Sequence, residues 1–548
     1  MNLMGPALSV RDHPGPLIAL GLFTVVSLGL GVVANWVASR KFGFMERYFL
    51  GNRSLGAIAV ALTAAVMSGG TFFGFPSLVY SFGWVVGLWI CSYMVAPLTV
   101  LGVLGKRVGQ LARQTGAITL PELLRERFAS PVLGLTTSLL IILFLSAFLV
   151  AQFKAGGVLL KIVLPSAAGS WIPGEETLDV TVDRAYIVGL LIFTATVVAY
   201  TTYGGFLAAI WTDIFQSIVM ALGVLILLPL ALAAAGGLEQ ATTKGMEIAG
   251  AGFGFGPGAG RAFLPIGLAL SYFVMWPISS MGQPSTIVRL MAFRNTRTLK
   301  WSIVYLVFYN AMVYVPLILI FVCSRSILPG LDKPDEVMPR LVVGLAHPAV
   351  AGLILAAPYG AVMSTVSGLL LIIASGLVRD VYQRFLRPRA AEREIAIASY
   401  GATIAVGIAV MLVAMRPPRY LQLIIVFASS GMAAGFLIPV LMGCFWRRAT
   451  AAGALAAMLA GSGTTLALYV AGSILAQLKF DQGIGPATTD FGAYYLFGFE
   501  PVVWGLLASL FAGVGVSIMT RVPEPWVVAR FFDKVDGSAQ SAVTGAGG

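Results

Sequence analysis

Charge is what this chain has least of. Only 11% of its 548 residues are Asp, Glu, Lys or Arg, against about 25% in an ordinary soluble domain. A soluble fold of this length needs far more charge to cover its surface, so a soluble multi-domain enzyme is excluded. Cysteine is nearly as scarce. Cys91, Cys323 and Cys444 all sit inside apolar runs, which excludes a disulfide framework or a CxxC metal site. Histidine is limited to His13 and His347, and HExxH, GxSxG and P-loop motifs are missing. A catalytic metal, a Ser-His triad and an ATP-driven engine are therefore not expected. The chain does not read as an enzyme, and any pumping must draw on an ion gradient. Sustained polar–apolar alternation is lacking too, which excludes a transmembrane barrel.

What is present is apolar sequence, 58% of the chain, laid out in long charge-free runs. A spanning helix needs about 20 apolar residues. On that measure the sequence predicts an all-α integral membrane protein with thirteen spans, near 16–38, 57–81, 84–105, 131–164, 185–202, 211–235, 262–281, 301–324, 349–377, 395–415, 420–445, 449–475 and 501–519. The first is too long for a signal peptide, and Arg40-Lys41 follows it in place of a small-residue cleavage site. Residues 1–536 read as one membrane domain and 537–548 as a disordered tail.

The formal net charge of +12 needs no nucleic acid to explain it. Basic residues crowd one set of alternate loops, among them Arg40, Lys106, Arg107, Arg289, Arg379, Arg384 and Arg447. The other loops hold Glu175, Glu176, Asp179, Asp183, Asp332, Asp335 and Glu336. By the positive-inside rule, the N-terminus is outside, the C-terminus is cytoplasmic, and the partners are the lipid bilayer of the cell membrane and a small-molecule solute. The stretch Thr119–Phe128 is amphipathic and reads as a helix lying on the inner membrane surface.

Two spans carry breaks. The second reads Thr63-Ala-Ala-Val-Met67-Ser68-Gly69-Gly70-Thr71-Phe72-Phe-Gly74-Phe-Pro76, and the seventh Trp276-Pro277-Ile-Ser279-Ser280-Met-Gly282-Gln283-Pro284. They sit five apart, as corresponding members of a five-plus-five inverted repeat covering about 57–235 and 262–445. Interrupted helices in matching positions are the best sequence pointer to a transporter site. Unwinding frees carbonyls for a cation and N–H groups for an anion at membrane depth. In the ninth span, Ser364, Thr365 and Ser367 add hydroxyl oxygens. Two ionisable residues lie within the apolar runs, Lys154 and Asp213, and such charges are functional candidates by default.

Four stretches together resemble the sodium:solute symporter family, which includes transporters of proline, pantothenate, monocarboxylates and sugars. They are Tyr48-Phe-Leu-Gly-Asn-Arg53 with Ala64-x-x-Met67-Ser68-Gly69, Tyr203-Gly-Gly to Trp211-Thr212-Asp213-Ile-Phe-Gln216, Gly282-Gln-Pro-Ser-Thr-Ile-Val-Arg289, and Ala361-Val-Met-Ser364-Thr365. The resemblance implies a leucine-transporter-type fold and Na+ as coupling ion. It implies a sodium site from the carbonyls of Ala64, Met67 and Ala361 with the hydroxyls of Ser364 and Thr365. It also implies a second sodium or a release path at Asp213, Ser364 and Ser367, where Gly368 lacks the hydroxyl some members carry. A sugar is disfavoured, since Phe72-Phe73 follow the first break where sugar transporters are polar. The proline branch has an aspartate at the place of Val66 and a tyrosine at that of Ser280.

The expected function is sodium-coupled import of a carboxylate-bearing solute (a monocarboxylate, pantothenate or an amino acid) by alternating access. The expected contacts are Ser68, Gly69, Thr71, Phe72, Gln152, Trp276 and Ser280, with Lys154 as a long-range attraction. The alternatives are a proton-coupled or uncoupled transporter of the same fold, or a membrane sensor on this scaffold.

Overall fold

The computed structural model describes residues 14–40, 57–64, 67–165, 168, 183–255, 265–292, 296–416, 421–481 and 492–532. The tail expected from 537 onward and the Tyr48–Arg53 motif lie outside them. Among the described residues every regular element is helical, and eleven helices are long and apolar enough to cross a membrane.

In chain order, α1 is Pro14–Ser39, α2 Ala57–Ala64 and α3 Phe75–Phe82; α4 is Val85–Thr99, α5 Lys106–Thr115, α6 Leu120–Phe128 and α7 Pro131–Val163. There follow α8, Arg184–Ala235, and α9, Leu238–Ala249; α10 is Ile266–Gly282, α11 Pro284–Ala292, α12 Thr296–Ile327, α13 Val337–Leu345 and α14 Pro348–Ser375. The last are α15, Glu392–Ala414, α16, Leu421–Phe445, α17, Ala451–Asp481, α18, Pro501–Met519, and α19, Pro525–Phe532. The second expected span is the interrupted pair α2 and α3, and the seventh is the short helix α10.

Local chemistry explains the shapes. The fifth and sixth expected spans run together as α8, which bends at Gly205, with φ 65° and ψ −170°. That conformation is closed to residues with a Cβ, and it turns the chain into two crossings, Arg184–Gly205 and Ala209–Ala235. The seventh span differs from expectation. It stays helical through Pro277 and ends at Gly282, with Gln283 extended. Proline removes the one ladder bond that would end on Phe273 O; beside it Ser280 Oγ donates to Trp276 O at 2.5 Å and Thr99 Oγ1 to Pro277 O at 2.8 Å.

The helix expected on the membrane surface is instead packed inside. Thr119 Oγ1 accepts from the Glu122 amide and Glu122 Oε2 from the Ile118 amide, a capping box that starts α6. Leu120, Leu123, Leu124 and Phe128 are buried, and so is Arg127, which donates to the carbonyls of Gly443 and Trp446. Glu122 pairs with Arg379 at 2.8 Å, beyond the end of α14. The amphipathic pattern was real, but its polar face meets ion partners within the protein.

At the acid-bearing end, the segment Pro334–Leu345 is tied to the spans by ion pairs. Asp335 pairs with Lys154 of α7 at 2.5 Å, and its Oδ2 accepts from the Leu421 amide that opens α16. Glu336 pairs with Lys161 and Arg340, and Lys161 also pairs with Asp183. Tyr80 of α3 joins in, donating to Leu328 O and accepting from the Leu331 amide.

Candidate functional site

The break in the second span is where the site begins. α2 stops at Ala64, and helix resumes as a wide turn over Gly70–Gly74 that runs into α3. Gly69 allows the approach of α7: a Cβ there would lie 2.8 Å from Ala155 Cβ and 3.0 Å from Gln152 Oε1. The amides at the break are taken by the protein itself. Gln152 Oε1 accepts from the Gly69 amide at 2.7 Å, Ser68 Oγ from the Gly70 amide and Thr71 Oγ1 from the Ser68 amide. Thr71 Oγ1 also bonds Tyr314 OH. Anion recognition by free N–H groups, expected at residues 68–71, therefore finds those groups already bonded here.

The carbonyl side of the break meets α14. Thr365 Oγ1 donates to Met67 O at 2.9 Å and to Ala361 O at 3.0 Å, and Ser364 Oγ to Ala361 O at 3.1 Å. Four of the five groups named from sequence thus converge, with Ala64 closing α2 just before them. Carbonyl and hydroxyl oxygens without net charge are the donor set of a hard cation, and each hydroxyl can turn its proton away and offer a lone pair.

Met67, Ser364 and Thr365 open on a cleft of about 590 Å³ that also holds Asp213, Gly368 and Arg289. Asp213 is buried, and its Oδ1 has no hydrogen-bond partner among the described residues. Ser367 does not line this cleft; its hydroxyl bonds the Ser364 carbonyl. A Cβ on Gly368 would lie 3.9 Å from Arg289 Nη2, so a side chain added there would reach toward a cation. Lys154 takes no part in either cavity, being held by Asp335.

A second cavity, of about 670 Å³, lies on the other side of the break and is lined by Ser68, Trp276 and Ser280. Gly69, Thr71, Phe72 and Gln152 are buried behind its wall. Residues that sequence reasoning passed over complete it: Tyr93, Thr286, Asn310 and Tyr314. Tyr93 stacks on Trp276 and on Tyr314, with centroids 4.5 and 4.9 Å apart, and Trp89 stacks on Tyr272 at 4.0 Å. None of the described residues lining this cavity is charged. The amide of Asn310 in a span otherwise built of apolar, aromatic and hydroxyl side chains was the available signal. Adjacent residues, Met67 and Ser68, face the two cavities, so a ligand in either one acts on the same short stretch of unwound backbone.

An all-helical membrane bundle with an interrupted span, an oxygen cluster and a second, uncharged cavity beside it is the architecture of a secondary transporter. The sodium:solute symporter family model matches residues 48–461, and the chain belongs to that family. It is 33% identical to the sodium/pantothenate symporter of Escherichia coli K12, over 94% of this chain and 98% of that one. It is 29% identical to the high-affinity proline transporter of Bacillus subtilis, over 93% of this chain and the whole of that one. The fold is that of a solved Na+-coupled sialic acid symporter in a substrate-bound outward-open state. The TM-score is 0.65 at 17% identity, covering 93% of this chain and 98% of that one.

Proposed function

We propose that this symporter imports a carboxylate-bearing solute with sodium, and that the ion binds Met67 O, Ala361 O, Ser364 Oγ, Thr365 Oγ1 and Ala64 O. The observation that carries the reading is the meeting of Met67 O, Ala361 O and Thr365 Oγ1 within 3.0 Å across the broken span and α14. Sodium bridging those elements favours the arrangement in which Ser68 and its neighbours complete the solute cavity, and each ligand stabilises what the other needs. Asp213, in the same cleft, serves ion release or a second ion. Basic loops put the C-terminus in the cytoplasm of a cell whose plasma or inner membrane holds the chain. Pantothenate and proline, named for the relatives, both carry a carboxylate, and the uncharged cavity holds no acid to repel one. Replacing Ser364 and Thr365 together by Ala removes two of five oxygens. Half-maximal uptake into proteoliposomes is then expected at a sodium concentration at least tenfold higher, and an unchanged sodium dependence would sink the assignment.

A further inference from the structure

In a folded interior, polar side-chain atoms left without a partner are few, and each calls for an explanation. Three of them are lining residues of the solute cavity: Trp276 Nε1, Thr286 Oγ1 and Asn310 Oδ1. Their residues are buried, with 3%, 5% and 5% of their surface exposed. By contrast the hydroxyls of Ser68 and Ser280, which the sequence put forward as contacts, are already engaged with backbone. The unspent capacity of the cavity therefore lies elsewhere than its sequence motifs.

Each free atom has a definite sense. Indole Nε1–H donates and does not accept, while a hydroxyl does either. The orientation of the Asn310 amide follows from its neighbour: Nδ2 donates to the Tyr93 carbonyl at 3.3 Å, and a carbonyl only accepts. Oδ1 is therefore the group left over, and it only accepts. The cavity asks for a solute with an acceptor toward Trp276 and a donor toward Asn310. No charged residue among those described lines the cavity, so hydrogen bonding and not a fixed counter-charge is what its wall offers.

We infer that Asn310 selects the solute by accepting a hydrogen bond from a hydroxyl or amide N–H of it, which makes hydroxy- or amido-carboxylates the preferred class over plain monocarboxylates. The inference rests on the carboxylate reading above and narrows it. A solute without the donor leaves Oδ1 buried and unpaired, and a site built to bond a polar group rejects the analogue that lacks it.

The test is inhibition of sodium-driven uptake of labelled pantothenate into proteoliposomes, with hexanoate, 3-hydroxyhexanoate and N-acetyl-β-alanine as competitors. The native protein should favour the hydroxy and amido acids over hexanoate roughly ten- to a hundredfold. Asn310→Leu, close in size and without a polar atom, should bring hydroxyhexanoate down to the level of hexanoate and weaken uptake of pantothenate itself. Asn310→Gln should restore part of the preference. Equal inhibition by hydroxyhexanoate and hexanoate in the native protein overturns the inference without any variant, and so does a preference that survives in Asn310→Leu. Uptake that ignores sodium would instead defeat the symport reading, while the order of competitors would still report on Asn310.

Discussion

Asp213 shows how much a single side chain can depend on its surroundings. It is buried beside Arg289, in the cleft that also opens on Met67, Ser364 and Thr365, and its Oδ1 accepts no hydrogen bond among the described residues. A carboxylate in such a place acts on a cation that passes it. Asp213→Asn keeps the size and removes the charge. It is expected to alter the sodium concentration for half-maximal uptake or the turnover rate severalfold, with solute affinity in saturating sodium held within about twofold. Initial-rate kinetics at varied sodium separate the two. A tenfold loss of solute affinity with unaltered sodium dependence would contradict the role. At this scale the sequence was readable where a residue stood out from apolar surroundings, as Asp213 did. Where polarity was common it was less specific: Ser68 and Ser280 line the cavity, but a hydroxyl on or beside a helix readily bonds a nearby backbone group, and only three-dimensional placement reveals which ones have done so. Lys154 was equally conspicuous, and its partner Asp335 lies far along the chain, in a loop whose position no local pattern specifies.

Among the elements, the segment Pro334–Leu345 is held through carboxylates that lie outside the spans. Burial raises the pKa of Glu336, but its ion pairs with Lys161 and Arg340 outweigh this and hold it below the usual carboxylate range. Asp183 is held low in the same way, against burial, by Lys161. A carboxylate with a depressed folded pKa contributes stability that is fully present above its unfolded pKa, about 4, and is lost as pH falls through the folded value. The midpoint of thermal unfolding should therefore fall on acidification below about pH 4. Lys161→Met should start lower at neutral pH and show a flatter acid slope. Parallel slopes in the two proteins would remove the Lys161 pairs from the account. The elements themselves were largely legible, because long apolar runs separated by charged loops leave few alternatives in a bilayer. The two departures have physical causes. α10 runs on through Pro277, at the loss of one ladder bond, and the chain breaks only at Gln283. α6 leaves the surface because Glu122 and Arg127 find partners inside the protein.

For the molecule as a whole, alternating access requires that one end close while the other opens. At the acid-bearing end Asp335 ties the segment Pro334–Leu345 to both Lys154 and the first turn of α16, which makes this buried pair a testable latch. Asp335→Asn keeps the cap and weakens the pair, while Lys154→Met removes the pair and leaves the cap. Both should shift the population toward the state open at that end. An Ile425→Cys reporter in the cavity wall should then react several times faster with a membrane-impermeant thiol reagent applied from that side. Unchanged labelling in both would mean that the latch does not limit opening. Removing one partner of a buried pair is also costly to stability, so a lower unfolding midpoint is expected alongside.

The uncharged wall of the solute cavity has an electrical consequence. With no fixed charge of its own there, the protein leaves a carboxylate's charge to be balanced by the accompanying ions. One sodium with one monoanion crosses as a neutral pair, on which the membrane voltage does no work. A second sodium would make each cycle carry one positive charge, and about 2.3 kcal/mol would then be added for every 100 mV across the bilayer. Solute-evoked current across a supported membrane would therefore count the ions: silence means one, and inward current means more.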